Sequence, residues 1–120
     1  MKITRQVFLV AVASWLLLGT AQAGFISGNV LARMMNAYDT EDFVVNKQTA
    51  AAYNDSVSFV AYVIGVFDAT EYLYSGIAGM RSNQAAAIVS KYLKNHPEKW
   101  NESGCTLVIN ALKEAFPKVK

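Results

Sequence analysis

The chain has 120 residues, 53% of them hydrophobic and 17% charged, with 11 Lys and Arg against 9 Asp and Glu and a formal net charge of +2. This length suits one compact domain and excludes a large enzyme, and the hydrophobic content excludes a disordered polymer. Two basic residues, Lys2 and Arg5, lie in the N-terminal segment, so the remainder has 11 − 2 = 9 basic residues against 9 acidic ones. This balance argues against a nucleic-acid partner, which requires clustered positive charge.

Residues 1–23 have the pattern of a secretory signal peptide. Lys2 and Arg5 form its charged region, residues 7–18 form an apolar core, and the segment ends in small residues up to Ala23. We expect cleavage after Ala23, leaving 120 − 23 = 97 residues. The apolar core is shorter than the ~20 residues of a membrane span, and no stop-transfer segment follows. We therefore expect an exported periplasmic protein that is free of the membrane after cleavage.

The first helix is predicted over residues 26–38, where apolar side chains recur at offsets of three, four and seven. A polar turn at residues 39–42 ends it. The apolar run that follows at residues 43–45 fits either a short strand or a loop.

Residues 47–74 predict one long helix, because they contain no Pro and only one Gly. A helix apolar on two sides is usually buried on two sides. This one is therefore the centre of a small bundle, or one side forms a subunit interface. Gly65 and Ala69 stand four apart, where they allow another backbone to approach closely; alternatively, the glycine is tolerated at a cost of ~1 kcal/mol. The two apolar rows are Tyr53, Val57, Val60, Ile64 and Phe67, and Phe59, Tyr62, Val63, Val66 and Leu73.

Two loops and two further helices complete the predicted fold. Glycines interrupt residues 75–81, and Ser82 is a candidate cap for a helix that ends at His96 and Pro97. After a polar loop, Asn101 or Ser103 is a candidate cap for a last helix, on which Cys105 should be a buried small hydrophobe. The sequence predicts an all-α fold, a small single-domain bundle over residues 24–120. It has four helices, or five if the long segment splits near residues 54–56.

Catalytic and metal-binding patterns are missing from the sequence. The single Cys105 and the single His96 would have to form a nucleophile–base pair, but a buried thiol and a helix-end imidazole are the ordinary interpretation. Zinc sites need three or four ligands, and the acidic cluster at residues 39–42 lacks a calcium-loop pattern. Asp68 either faces solvent or satisfies a buried donor. We therefore expect no enzyme activity, no metal site and no cofactor.

The candidate partner-binding residues lie in the two loops. Trp, Met and Arg are favoured at protein interfaces, where a few anchors carry most of the affinity. The alternative is that Ile77, Met80 and Trp100 pack back onto the bundle. The principal candidates are Pro97, Glu98, Lys99, Trp100, Asn101 and Glu102, and the second set is Ser75, Gly76, Ile77, Met80 and Arg81.

A family resemblance follows from several short strings in fixed order. They are residues 62–69 (YVIGVFDA), Gln84, residues 91–93 (KYL) with 96–98 (HPE), and residues 111–112 (AL) with 115–117 (AFP). Together these resemble the Tai/Rap group of periplasmic immunity proteins, which protect bacteria from type VI secretion amidase effectors. Cysteines often occur in that group near the positions of Phe59, Ser75 and Lys118, and this chain has none of them.

The resemblance implies a function without catalysis. The protein would bind and inhibit a peptidoglycan amidase effector of the papain-like cysteine peptidase type by covering its Cys–His cleft. It also implies a homodimer, in which one subunit presents a loop and the other contributes helical surface. The alternative from another class is a periplasmic acid-stress chaperone that binds unfolded clients.

Overall fold

The computed structural model describes residues 24–40 and 50–120 of the chain. Its four α-helices are α1 (Gly28–Asp39), α2 (Ala50–Thr70), α3 (Ser82–Asn95) and α4 (Gly104–Ala115), with single 3-10 turns at Glu71–Leu73 and Pro97–Lys99. Within these ranges there is no β-strand, and one isolated antiparallel bridge joins Ser27 to Ser103. The predicted all-α fold is confirmed. The predicted signal peptide and the apolar run at residues 43–45 lie outside the described residues.

All four helices contribute to one hydrophobic core. Its largest fully buried side chains include Phe59 of α2 and Met35 of α1. Burying a side chain of this size stabilises the fold by about 1.5–3 kcal/mol relative to leaving it exposed. The other large apolar members of this set are Leu31, Val63, Val89, Leu93, Leu107, Val108 and Leu112.

Helix α2 is continuous, so the alternative of five helices is wrong. The polar residues 54–56 do not break it, because Asp55 forms an ion pair with another helix and Ser56 is buried. The Asp55 carboxylate accepts a 3.2 Å hydrogen bond from Arg33 Nε of α1, and Ser56 is buried in the interface. Tertiary contacts thus offset the weak helix propensity of this stretch.

Only one side of α2 is buried within the chain, so the first of its two predicted alternatives, burial on both sides at the centre of the bundle, is wrong. Phe59 and Val63 face the core, whereas Tyr53 is 60% exposed and Val57 is 51% exposed. The segment Ala50–Leu73 is long and apolar enough to cross a membrane by length and composition, and 17% of its most apolar window is buried. A helix that carries part of a soluble core passes the same test, so this property alone does not indicate a span.

Asp39 ties the end of α1 to α3 while remaining exposed, whereas the sequence predicted it in the polar turn after the helix. It is the last residue of α1, and its carboxylate lies 2.7 Å from Lys94 Nζ. The buried Ser90 hydroxyl donates a 2.9 Å hydrogen bond to the same carboxylate. Asp68 is exposed on α2.

Two helix starts differ from the sequence prediction. Ser82 is the first residue of α3, and the cap position belongs to Arg81, whose side chain makes no capping hydrogen bond. Ser103 does occupy the cap position of α4, but its side chain makes no capping bond either. Its backbone pairs with Ser27 instead, since the neighbouring Gly104 N–H donates to the Ile26 carbonyl at 2.9 Å.

Candidate functional site

The principal candidate loop, residues 97–102, connects α3 to α4. Pro97, Glu98 and Asn101 are exposed, and the other three residues are half-buried. Pro97 begins the 3-10 turn, which suits a residue that has no N–H to donate and a fixed φ. The loop therefore presents a compact polar tip above a partly buried base.

Side chains of the loop satisfy the last carbonyl groups of α3. The final four carbonyls of a helix have no partner within the helix. The Trp100 indole N–H donates a 3.0 Å hydrogen bond to the Leu93 carbonyl. His96 Nδ1 lies 2.8 Å from the Tyr92 carbonyl, which can only accept, so this nitrogen carries the proton. The loop consequently caps α3. Trp100 packs back onto the bundle, which is the alternative to an exposed partner-binding side chain given in the sequence analysis.

The ring of Tyr92 supports His96, just before the loop, and Lys99 within it. The His96 ring stacks on it with centroids 4.2 Å apart. Lys99 Nζ lies 5.7 Å above the ring centroid and donates a 3.3 Å hydrogen bond to the hydroxyl. This hydrogen bond raises the pKa of Lys99 above its ordinary value of 10.5, and the nearby Tyr92, Glu102 and Glu98 raise it further.

The other side of the loop is held by the chain entering α1. The Gly28 N–H donates a 2.7 Å hydrogen bond to the Glu102 carbonyl, and the Gly104 N–H donates to the Ile26 carbonyl. A Cβ atom at Gly28 would lie 2.5 Å from the Trp100 carbonyl oxygen, so only glycine permits this approach. The loop backbone is thus fixed from both sides in the absence of a partner.

The second candidate loop, residues 75–81, lies at the other end of α3. Gly76 and Gly79 have φ values of 75° and 76°, in the left-handed region that favours glycine. Ile77 and Met80 are half-buried against the core, so the alternative of packing back onto the bundle applies to them too. The C-terminal residues hold this loop, since the Val119 N–H donates a 3.0 Å hydrogen bond to Ser75 Oγ.

The structure does not bring the two loops together into one patch. Residues 75–81 precede α3 and residues 97–102 follow it, and the 14 residues of this helix span about 21 Å. Arg81 instead lies beside Asp68 and Met80 at a small pocket of about 100 Å³ between α2 and the start of α3. A single narrow cleft on a partner could therefore admit only one of the two loops.

An open apolar pocket on α2 is the feature that sequence analysis missed. Its volume is about 360 Å³, and Cys105 of α4 forms one wall. Cys105 is half-buried, so the prediction of a buried small hydrophobe at this position is wrong. Burial raises the pKa of Tyr62 in this wall above its ordinary value of 10.0, with a smaller contribution from Cys105. The spacing of Gly65 and Ala69 was the only signal in the sequence. The lining residues are Ala61, Tyr62, Gly65, Val66, Ala69, Thr70 and Cys105.

The two residues that the sequence offers as a nucleophile–base pair, Cys105 and His96, lie at different sites. Within the described ranges there is no group of three His, Cys, Asp or Glu residues that could hold a metal ion. His96 is engaged by Tyr92, whereas Cys105 lies at the α2 pocket.

Comparison with known proteins identifies one family. The family model of Rap1a immunity proteins matches residues 27–117. A search of curated proteins found no match. The matched segment begins at the residue that caps α1 and ends two residues after α4, so it includes all four helices and both candidate loops.

Proposed function

Because the chain belongs to the family of Rap1a immunity proteins, we propose that it is a non-enzymatic inhibitor of a type VI secretion effector, and that this effector is a peptidoglycan amidase. The match over residues 27–117 carries the immunity function. The resemblance to the Tai/Rap group supports the finer choice of an amidase of the papain-like cysteine peptidase type.

The site of action in this proposal is the periplasm, where peptidoglycan is accessible. Residues 1–23 serve as a signal peptide that is removed after Ala23, and residues 24–120 form the working domain. No cofactor or metal takes part.

Residues 97–102 cover the Cys–His cleft of the amidase. Pro97, Glu98 and Asn101 make the direct contacts because they are exposed, and Trp100 supports them from below. A loop held by α1 and α3 before binding loses little conformational entropy on docking, which favours the tight binding that an immunity protein needs.

The second loop contributes in a homodimeric assembly. One subunit presents residues 97–102 to the cleft. The partner subunit offers helical surface or its residues 75–81. Within one subunit the length of α3 separates residues 75–81 from residues 97–102, so a single narrow cleft cannot contact both loops of the same subunit. This arrangement is consistent with the homodimer that the resemblance implies.

The proposal is tested by co-purification of the chain, expressed from residue 1 and recovered from the periplasm of a bacterial host, with a panel of type VI amidase effectors. Peptidoglycan hydrolysis is measured with and without the protein. A stable complex that abolishes hydrolysis supports the proposal. If the protein forms no complex with any of the amidases, the proposed amidase target is overturned. The chaperone alternative requires suppression of client aggregation at acidic pH, which is measured on the same preparation.

Contact residues are tested with a matched pair of double variants. Glu98→Ala with Asn101→Ala removes two polar side chains from the exposed loop tip, and we expect weaker inhibition with unchanged unfolding. Asn36→Ala with Glu114→Ala removes the same chemistry from exposed positions of α1 and α4. Equal inhibition by the two double variants would move the contact away from residues 97–102.

Trp100 separates direct contact from support of the loop. Trp100→Ala should weaken binding by ~2 kcal/mol or more, because the exposed contact residues lose the side chain that supports them from below. Trp100→Phe keeps an aromatic ring but removes the hydrogen bond to Leu93. Affinity retained in Trp100→Ala, in a chain that still unfolds cooperatively, would contradict a role for this residue in binding.

A further inference from the structure

Phe25, which lies just before α1, is the most exposed large apolar residue in the described part of the chain. Its exposed fraction is 105%, so the fold gives its ring no shelter from water. An aromatic ring buries a large apolar area when it enters a pocket on a partner. Phe25 therefore offers a source of binding free energy that folding does not use.

The backbone on both sides of Phe25 is held against α4. The Ile26 carbonyl accepts the 2.9 Å hydrogen bond from the Gly104 N–H, and the Ile26 side chain packs against the core. Gly24 approaches α4 so closely that a Cβ atom there would lie 3.5 Å from Ser103 Oγ. The ring thus projects from an anchored segment, which loses little backbone entropy when a partner covers the ring.

This segment runs beside the principal candidate loop. Ser27 forms the antiparallel bridge with Ser103, and the Gly28 N–H donates its 2.7 Å hydrogen bond to the Glu102 carbonyl. Three residues of chain reach at most ~11 Å, so Phe25 lies within this distance of Gly28. A partner that is seated on the loop therefore has Phe25 next to its contact surface.

The loop itself exposes no large apolar side chain. Its exposed residues are Pro97, Glu98 and Asn101, and the Trp100 indole is engaged with the Leu93 carbonyl of α3. Tight protein interfaces usually depend on a few aromatic or Arg anchors that are surrounded by polar contacts. The other exposed large apolar residues lie on α2 or beside residues 75–81, and they are Tyr53, Val57, Tyr72 and Val119.

We propose that Phe25 is a partner-binding anchor, whose ring enters an apolar recess of the amidase effector beside its Cys–His cleft. The polar tip of residues 97–102 covers the cleft, and Phe25 supplies the apolar contact on the side where α1 begins. In the mature chain of the proposed function only Gly24 precedes Phe25, so no longer segment shields the ring.

The inference rests on the proposed function for the identity of the partner, and it adds a contact residue outside both candidate loops. Phe25 lies two residues before the segment that the family model matches, so the family match by itself assigns it no role.

The first experiment measures affinity by isothermal titration calorimetry, with an amidase that the parent chain inhibits. Phe25→Ala should weaken binding about tenfold to hundredfold, as expected for the loss of one buried aromatic side chain. Phe25→Leu keeps most of the apolar area and should lose less. Tyr53→Ala is the matched control, because it removes an exposed ring of α2 outside both loops, and it should leave the affinity unchanged. All three variants should unfold at the parental temperature, since both rings are exposed.

The second experiment tests direct contact by hydroxyl-radical labelling read by mass spectrometry. Phe25 should be labelled heavily in the free protein and several-fold less in the complex, whereas Tyr53 should be labelled equally in both. Equal affinity of Phe25→Ala and the parent, or equal labelling of Phe25 in both states, would overturn the inference and leave the proposed function intact. A parent chain that binds no amidase would instead overturn the proposed target, and this inference with it.

Discussion

Adding one methyl group at Gly28 should destabilise the protein through the candidate loop. Gly28 is the first residue of α1, and its Cβ would lie 2.5 Å from the Trp100 carbonyl oxygen and 2.6 Å from Leu107 Cδ1. Ordinary van der Waals contact begins at 3.4 Å, so the loop backbone must retreat by about 3.4 − 2.5 = 0.9 Å. Leu107 has no free space to yield, because it is fully buried.

The free energy follows from three contributions. Overpacking of this kind costs about 1–3 kcal/mol. A shift of 0.9 Å lengthens the 2.7 Å hydrogen bond from Gly28 N–H to the Glu102 carbonyl beyond the normal range, which costs about 1 kcal/mol. Alanine returns at most ~1 kcal/mol through its helix propensity. We expect Gly28→Ala to lower the free energy of unfolding by about 2 kcal/mol and the melting temperature by about 10 °C.

The assay is thermal and urea unfolding followed by circular dichroism at 222 nm. Gly65→Ala is the control, because its Cβ meets nothing within 4 Å and alanine should stabilise an exposed helix interior by ~0.5–1 kcal/mol. Both variants are measured at a dilution where the chain is monomeric. A Gly28→Ala protein as stable as the parent would refute the close approach of α1 to the loop. Gly28→Ala should also inhibit the effector more weakly than its loss of stability alone explains, since the loop is displaced.

Three further predictions concern pH, a buried hydroxyl and processing. Burial raises the pKa values of Tyr62 and Tyr74, and the hydrogen bond with the Tyr92 hydroxyl raises that of Lys99, above ordinary values of 10.0, 10.0 and 10.5. A group whose pKa is raised in the folded state stabilises the fold fully at pH values below its ordinary pKa, and this stabilisation is lost as the pH rises through the folded-state pKa. Urea midpoints measured from pH 8 to 11 should therefore decrease once the pH exceeds about 10. Tyr74 is 5% exposed, and its hydroxyl lies 2.7 Å from the Thr70 hydroxyl. Thr70→Val leaves the Tyr74 hydroxyl without this partner and should lower the free energy of unfolding by about 1–2 kcal/mol, more than Tyr74→Phe, which removes the Tyr74 hydroxyl itself. Intact mass of the periplasmic protein should correspond to a chain that starts at Gly24, and a full-length mass there would contradict cleavage.

Local sequence patterns were sufficient for the helices and the loops. The apolar period of 3.6 residues placed all four helices, and glycines and Pro97 marked the loops that separate them. These features depend on backbone preferences within a few residues, and so they can be read without knowledge of distant contacts. The order of short strings also indicated the immunity family that the match over residues 27–117 confirms.

The tertiary structure decided which surfaces are available. Apolar residues surround α2, so its periodicity could not select the buried side, and only packing against the other helices places Phe59 inside and Val57 outside. Cys105 lines a pocket because α4 meets α2 there, and Trp100 caps α3 because its indole reaches the Leu93 carbonyl. Each of these outcomes depends on residues distant in sequence or on the orientation of a side chain. The sequence by itself therefore determines the elements and their order, and the contacts between them determine what a partner can touch.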